Sequence, residues 1–474
     1  MNKRLPALWI FLLILTQFPV MMGCSPTPSA ERPNMIVVLV DALRRDHLGL
    51  YGYDRPTSPF LDSMASDGLV FDDAWSQGSQ TVFSTASLFT SQNFSPVAFV
   101  PTSRLSSTLT ASMNKEEKTM NVFAPIVPAF PTVLSKSGYD TAAFLNNPHH
   151  HRHSGFPDIF DESFLLIDGE GFKTTKSRPY ADGREMVRRV TDWLARREQP
   201  GQPFLVYLHL MDAHNPYRPP AEFRARFVTT VGTDRYQNAK PAKEDMPSEA
   251  DLQFMMESYD AEIAYVDTLI SDVHTAALAS SSKPLVMVVT SDHGDEFLDH
   301  GGLGHGRTLE MELLRVPLIV FGDGITTRRE EHLVRLVDVG PSLLEIAGVP
   351  IPQDWDGNPV FRSMPKSVEV TESIANYRRL MSLSTVDWHA IWDRSADTIV
   401  LYDRRDDPQG LIDVAATSPE VEQIFRERFL SLNRDRSAMV RSVKDKMEEI
   451  VERLSTVEIG DETEQQLRAL GYVN

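Results

Sequence analysis

Leu285-Val286-Met287-Val288-Val289-Thr290 runs without a break into Ser291-Asp292-His293-Gly294. A short, uncharged, β-branched run of this kind predicts a strand buried on both faces, the hallmark of a parallel sheet covered by helices. In open sheets of that type the ligand crevice lies at the carboxyl ends of the strands. Asp292 and His293 fall at such an end, as two adjacent side chains able to ligate a metal. The next loop carries Gly302-Leu303-Gly304-His305-Gly306, which makes His305 a candidate acid or base.

Similar runs occur at Met35–Val40, Thr141–Leu145, Phe204–Leu208 and Val316–Phe321. Longer segments with helical spacing separate them. In one, Met255, Tyr259, Ile263, Val266, Ile270 and Val273 recur every three or four residues, a core stripe. Pro341 and Gly348 bracket a short helix at Ser342–Ala347. The alternation predicts an α/β fold with a large, mostly parallel central sheet and helices on both faces. From about Pro365 the strands shorten (Thr398–Tyr402) and charged helical stretches follow. A smaller C-terminal α+β subdomain over 365–474 is therefore expected beside a main domain over 34–364.

Polar residues cluster where the runs end: Asp41, then Asn146 and Asn147, then His209, Asp212 and His214, then Asp292 and His293. Thr81 heads Thr81–Thr90, which reads as a helix start with hydroxyls in its first turn. Asp41, Asp292, His293 and Thr81 together could hold one divalent cation, which would acidify the hydroxyl and polarise an ester oxygen. The helix N-terminus would favour an anionic substrate there.

The chain has 474 residues, 42% hydrophobic and 24% charged, a globular composition. A formal net charge of −19 argues against nucleic-acid binding. Lys3 and Arg4, an apolar stretch from Ala7 to Met22, and Gly23-Cys24 read as a secretory signal. Its form resembles a bacterial lipoprotein signal over 1–23, with Cys24 as the lipidated residue and 24–33 as a Pro- and Ser-rich tether. The alternative is an uncleaved anchor, for which the apolar run is short. Export to a bacterial cell membrane follows, with the outer membrane or the periplasmic face favoured. Cys24 is the sole cysteine, so the folded part has no thiol nucleophile and no internal disulfide.

The ordered motifs resemble the sulfatase-like branch of the alkaline phosphatase superfamily. They are Asn34–Asp41, Tyr51-Gly52-Tyr53 with Thr57-Ser58-Pro59, the Thr81 segment, Met211–Tyr217, Ser291–Gly294 through His305-Gly306, Asp338–Leu344, Leu401-Tyr402-Asp403 and Leu467–Tyr472. The resemblance implies a sulfatase-like catalytic domain over 34–364. It also implies that His214 contacts the transferred group or protonates the leaving group, and that His305 shares this task.

The departures shape the expected chemistry. Sulfatases make formylglycine from Cys or Ser in a Cys/Ser-x-Pro-x-Arg motif; here Thr81, Phe83 and Thr85 stand at the Cys, Pro and Arg positions. Relatives with Thr at this place act on phosphate esters through a phosphothreonine. Ala42 replaces a second aspartate and His293 an amide, which shifts preference from calcium toward manganese or zinc.

Bland readings stand beside these. Thr81 could be an ordinary cap hydroxyl, with Ser84 its rival as nucleophile. Asn147, His209 and His300 are further substrate-binding candidates, or ordinary hydrogen-bonding groups. His149-His150-His151-Arg152-His153 reads as a solvated loop, and Arg44 and Arg45 either meet an anionic substrate or face solvent. Three functions follow: a metal-dependent hydrolase or transferase of phosphate (di)esters, a sulfuric ester hydrolase, or an inactive surface binding protein. The sequence is silent on oligomeric state.

Overall fold

Every residue of Asn34–Val40 (β1) is buried, and its side chains divide by parity between two cores. Ile36, Val38 and Val40 face one cluster; Met35, Val37 and Leu39 face the other. Such a strand needs a sheet neighbour on each edge and helices on each face. The computed structural model describes residues 31–93, 99–101, 121–150, 153–165, 182–199, 201–237, 245–362, 371–375 and 380–442. The signal segment, Cys24 and the Leu467–Tyr472 motif lie outside them.

The remaining strands of the main sheet are β2 (Leu69–Trp75), β3 (Asp140–Leu145), β4 (Glu162–Leu165), β5 (Phe204–Leu210), β6 (Leu285–Thr290), β7 (Arg315–Gly322) and β8 (Arg328–Arg335). They lie in the order β8-β2-β7-β6-β1-β5-β3-β4. All neighbours are parallel except β7, which runs antiparallel to both β6 and β2. The chain between β6 and β7 has no crossover helix and stays at one end of the sheet, so β7 must run back. That connection, 291–314, carries the Asp292-His293 block and His305.

Helices α1 (Thr81–Thr90) and α4 (Val339–Ala347) cover one face, while α2 (Gly183–Arg196) and α3 (Glu249–Ser280) cover the other. A Ser248–Asp251 capping box starts α3. Its Met255 to Val273 stripe is buried in the core.

Beyond Pro365, β9 (Thr371–Ala375), β10 (Leu380–Ser384), β11 (Trp388–Asp393) and β12 (Thr398–Asp403) form an antiparallel sheet. Helix α5 (Pro419–Ser442) packs on it through Phe425 and Phe429. This layer joins the main sheet through an apolar cluster of Trp75, Leu309, Leu314 and Leu333 with Ile391 and Tyr402. His389 Nε2 donates to Leu309 O at 2.8 Å, and Ser384 Oγ donates to its Nδ1 at 2.7 Å. Among the described residues, no helix is long and apolar enough to cross a membrane.

Candidate active site

Four chain segments converge at the carboxyl ends of β1, β5, β3 and β6. Asp41, directly after β1, is fully buried. Its Oδ2 accepts from Asn147 Nδ2 at 2.7 Å and from His209 Nε2 at 3.0 Å. Asp292, directly after β6, accepts at Oδ1 from Ala42 N at 3.2 Å and His293 N at 3.0 Å. Ala42 adopts a left-handed φ of 60°, uncommon for a residue with a Cβ. His293 donates from Nδ1 to Gly294 O at 2.8 Å, which leaves Nε2 with its lone pair facing the carboxylates.

Asp41 Oδ1 and Asp292 Oδ2 are buried with no hydrogen-bond partner among the described residues. They lie 3.8 and 3.4 Å from His293 Nε2. Two ionisable carboxyls buried together are costly unless a cation offsets them. Orphaned oxygens beside an imidazole lone pair match a borderline divalent ion. Asp41, Asp292 and His293 thus fit one, with ligand atoms all within 4.8 Å of one another.

Electrostatics agree with a charged centre. Burial would raise the Asp41 carboxyl, yet His214, His209 and His293 hold it well below the usual carboxylate range. Burial opposes charge on His293, but Asp292 and Asp41 raise its pKa above the ordinary imidazole value.

Thr81 opens α1, and its Oγ1 stands 3.4 Å from Asp41 Oδ2 and 3.4 Å from His293 Nε2. Ser84, the rival hydroxyl, is turned away and accepts from Ser76 Oγ at 2.9 Å. Gly294 keeps the loop tight: a Cβ there would sit 2.0 Å from Glu312 O.

His305 lies 4.2 Å between ring centroids from His293, the two rings tilted by 34°, and His214 meets His305 edge-on at 4.9 Å. His305 Nδ1 donates to the buried Asp295 Oδ1 at 2.9 Å, so a neutral ring presents Nε2 as its basic nitrogen. Tyr217 donates its hydroxyl to the other Asp295 oxygen. Burial and the neighbouring His293 lower the His305 pKa against the pull of Asp295. His214 Nδ1 donates to Asn215 O at 2.6 Å. Sequence reading missed Asp295 and Tyr217, although both lie in segments it had singled out.

Asn147 and His209, expected to meet substrate, are instead bonded to Asp41. His300 belongs elsewhere: its Nδ1 donates to Glu312 at 2.9 Å and its Nε2 to Gly410 O at 2.6 Å. Both nitrogens donate, and its pKa is pushed up to about 9: burial works against this, but the bonds to Glu312 and Gly410 prevail. No lone pair remains, so the Glu296–His300–Glu312 group is a poor metal site as it stands. His150 departs from the solvated-loop expectation, being fully buried with Nε2 3.3 Å from Thr85 Oγ1. His151 and Arg152 lie outside the described residues. Arg44 is buried away from solvent, held by Asp46 and Asp299, with Nη1 donating to Asp295 O at 3.1 Å.

A mostly parallel sheet whose strand ends gather two aspartates, a histidine and a hydroxyl accords with the alkaline phosphatase superfamily, to which the family match assigns the chain. Within it the chain belongs to the sulfatase family, whose model, described as Sulfatase, matches residues 33–349. It is 24% identical to arylsulfatase K of Bos taurus over 467 residues, covering 85% of this chain and 82% of that one. Its fold is similar to that of a putative sulfatase from Bacteroides thetaiotaomicron, with TM-score 0.63, 18% identity, and coverage of 88% and 94%. It is also similar to that of a phosphonate monoester hydrolase of Agrobacterium radiobacter, with TM-score 0.65, 16% identity, and coverage of 85% and 96%. Sulfatase-family enzymes are hydrolases that use a divalent metal ion.

Proposed function

We propose that the protein is an exported, membrane-anchored hydrolase or transferase of phosphate esters, diesters included, with Thr81 as nucleophile. The observation that supports this most is the Thr81 hydroxyl at the head of α1, 3.4 Å from both Asp41 and His293 and beside two partnerless carboxylate oxygens. Manganese or zinc, with calcium less suited to an imidazole, would be held by Asp41, Asp292 and His293. When bound it lowers the hydroxyl pKa and polarises the ester oxygen.

Thr81 Oγ, having lost its proton to solvent, attacks phosphorus. The bond from phosphorus to the leaving oxygen breaks, and His305 or His214, having first taken up a proton from solvent, supplies that alcohol with it. Water, or an acceptor alcohol, then attacks the phosphothreonine, gives its proton to the imidazole and frees Thr81. The first backbone N–H groups of α1 favour the anionic group throughout.

A second reading, sulfuric ester hydrolysis, is favoured by the arylsulfatase relatives. It requires unmodified Thr81 to attack sulfur. Purified protein loaded with manganese, zinc or calcium and assayed on aryl phosphate diesters and aryl sulfates separates the two. Phosphate turnover is expected to dominate, and a clear preference for sulfate would reverse the order. The anchor is tested apart from this: Cys24→Ser should move the protein from the membrane fraction to the soluble one.

A further inference from the structure

A cavity of about 440 Å³ opens between the loop after β1 and the Pro408–Leu411 turn. Arg45 and Arg315 line it, and none of Asp41, Thr81, Asp292 or His293 does. Arg45 is the unusual member. Its side chain is only 15% exposed, yet it makes no hydrogen bond to any described residue, and its Nε is buried without a partner. It lies over the Tyr51 ring at 4.5 Å, and its one ion pair among the described residues, to Asp72, is stretched to 4.0 Å.

Arg315 is little better served, with Nη2 donating to Asp72 O at 3.4 Å and Nε ion-paired to Asp73 at 3.3 Å. Both aspartates are committed elsewhere. Asp72 is gripped by Arg329 at 2.6 and 2.8 Å, and Asp73 by Arg404 and by Trp75 Nε1 at 2.9 Å. A guanidinium carries five N–H donors and is rarely buried with them idle.

Three carboxylates also border the cavity, and each has a partner. Asp46 and Asp299 both bind Arg44, and Glu312 binds His300. The idle donors therefore belong to Arg45 and Arg315. Burial, with Arg45 and Arg404 alongside, outweighs Asp73 and Asp46 and pushes the Arg315 pKa down to about 10.

We infer that Arg45 and Arg315 form an oxyanion subsite, separate from the catalytic cluster, which takes a sulfate or phosphate group. The planar forks suit two oxygens of such a group, and Tyr51 holds the Arg45 plane in place. The cavity is roomier than one ion needs, so the group can be free or borne on an organic ester.

The test is calorimetric titration of inorganic sulfate and inorganic phosphate into the full-length, metal-loaded protein, with chloride at matched ionic strength as control. Asp292→Ala disables the catalytic cluster alone and should keep one equivalent of bound oxyanion. Arg45→Gln should weaken that binding by at least about tenfold, the loss of one charged hydrogen bond. Arg45→Lys, with charge but no fork, should fall between. Arg315→Gln serves if Arg45→Gln does not fold. In the wild type, sulfate should raise the melting temperature in excess of chloride. Competition by methyl phosphate or glucose 6-sulfate would point to an ester-borne group; binding of free ions alone would point to a solitary anion. Wild-type affinity in Arg45→Gln, or no oxyanion bound by Asp292→Ala, overturns the subsite.

Discussion

Thr81→Val removes the proposed nucleophile while changing almost nothing else. Valine keeps the shape and β-branching of threonine and has similar helix propensity. The hydroxyl does not cap α1, and its contacts with Asp41 and His293 are long, both at 3.4 Å. The 2.6 Å bond from Thr85 Oγ1 goes to the Thr81 carbonyl and survives, and Asp41 retains Asn147 and His209. Stability should therefore shift by no more than about 1 kcal/mol. Removing a nucleophile commonly costs on the order of 10⁴-fold or more in turnover, about 5 kcal/mol of barrier. The assay is hydrolysis of bis(p-nitrophenyl) phosphate at saturating metal, with metal content and urea unfolding measured on the same preparation. Acid quenching of the wild type should trap one phosphoryl group on the Thr81 peptide. A folded, metal-loaded Thr81→Val enzyme within tenfold of wild type would refute the assignment. Loss of metal from the variant would show that the cation depends on the hydroxyl as a ligand, the other part expected of Thr81.

Asp292→Ala should lower divalent-metal affinity by about a hundredfold or more, read by elemental analysis after dialysis; wild-type protein that binds no metal would favour an inactive binding role. Asp295→Asn should slow esters with poor leaving alcohols about tenfold more than nitrophenyl esters, because it unseats the His305 proton donor; equal losses would remove that role. Gly294→Ala forces a Cβ to 2.0 Å from Glu312 O and should cost about 2 kcal/mol or more in urea unfolding, so an unchanged midpoint would contradict the loop geometry. His389 is fully buried and neutral: burial first, then Arg404 and His300, push its pKa down to about 3. An unfolded histidine takes its proton near 6.5, so this contribution is intact above that pH and fades as pH falls toward 3. Between pH 6.5 and 5 the loss should be about 2 kcal/mol, and His389→Gln should show a shallower acid slope; an identical slope would exonerate the ring.

The buried strands were readable because burial on both faces leaves an uncharged run: β1, β3, β5, β6 and β7 all announce themselves. Strands β2 and β8 do not, since Asp72-Asp73 interrupts one and Arg328-Arg329-Glu330-Glu331 opens the other. β8 lies at a sheet edge, where solvent satisfies such charges. Nor does the reversal of β7 leave a mark in its residues, because direction is set by the connection. At the site, ligand-type residues at strand ends located Asp41, Asp292 and His293, and the helix-start pattern located Thr81. The division of labour among neighbours was not legible. Asn147 and His209 carry the same chemistry whether they touch a substrate or Asp41, and only distance separates the two. His300 shares its loop with His305 but turns to Glu312 and Gly410. Asp295 was within reach of inspection, an acid in the same connection as the histidine it steadies.

The position of β1 sets the order in which this chain can fold. Val38 is flanked by Leu208 on one side and Val289 on the other, so the first strand made is completed by two of the later ones. Until about residue 290 has emerged, an uncharged ribbon with two open edges waits for partners, the kind of segment that aggregates or needs a chaperone. Fragments ending between β5 and β6 would keep one such edge bare. Such fragments would hold Asp41 but lack Asp292 and His293 altogether, so no metal-binding centre could form before the sheet itself is closed.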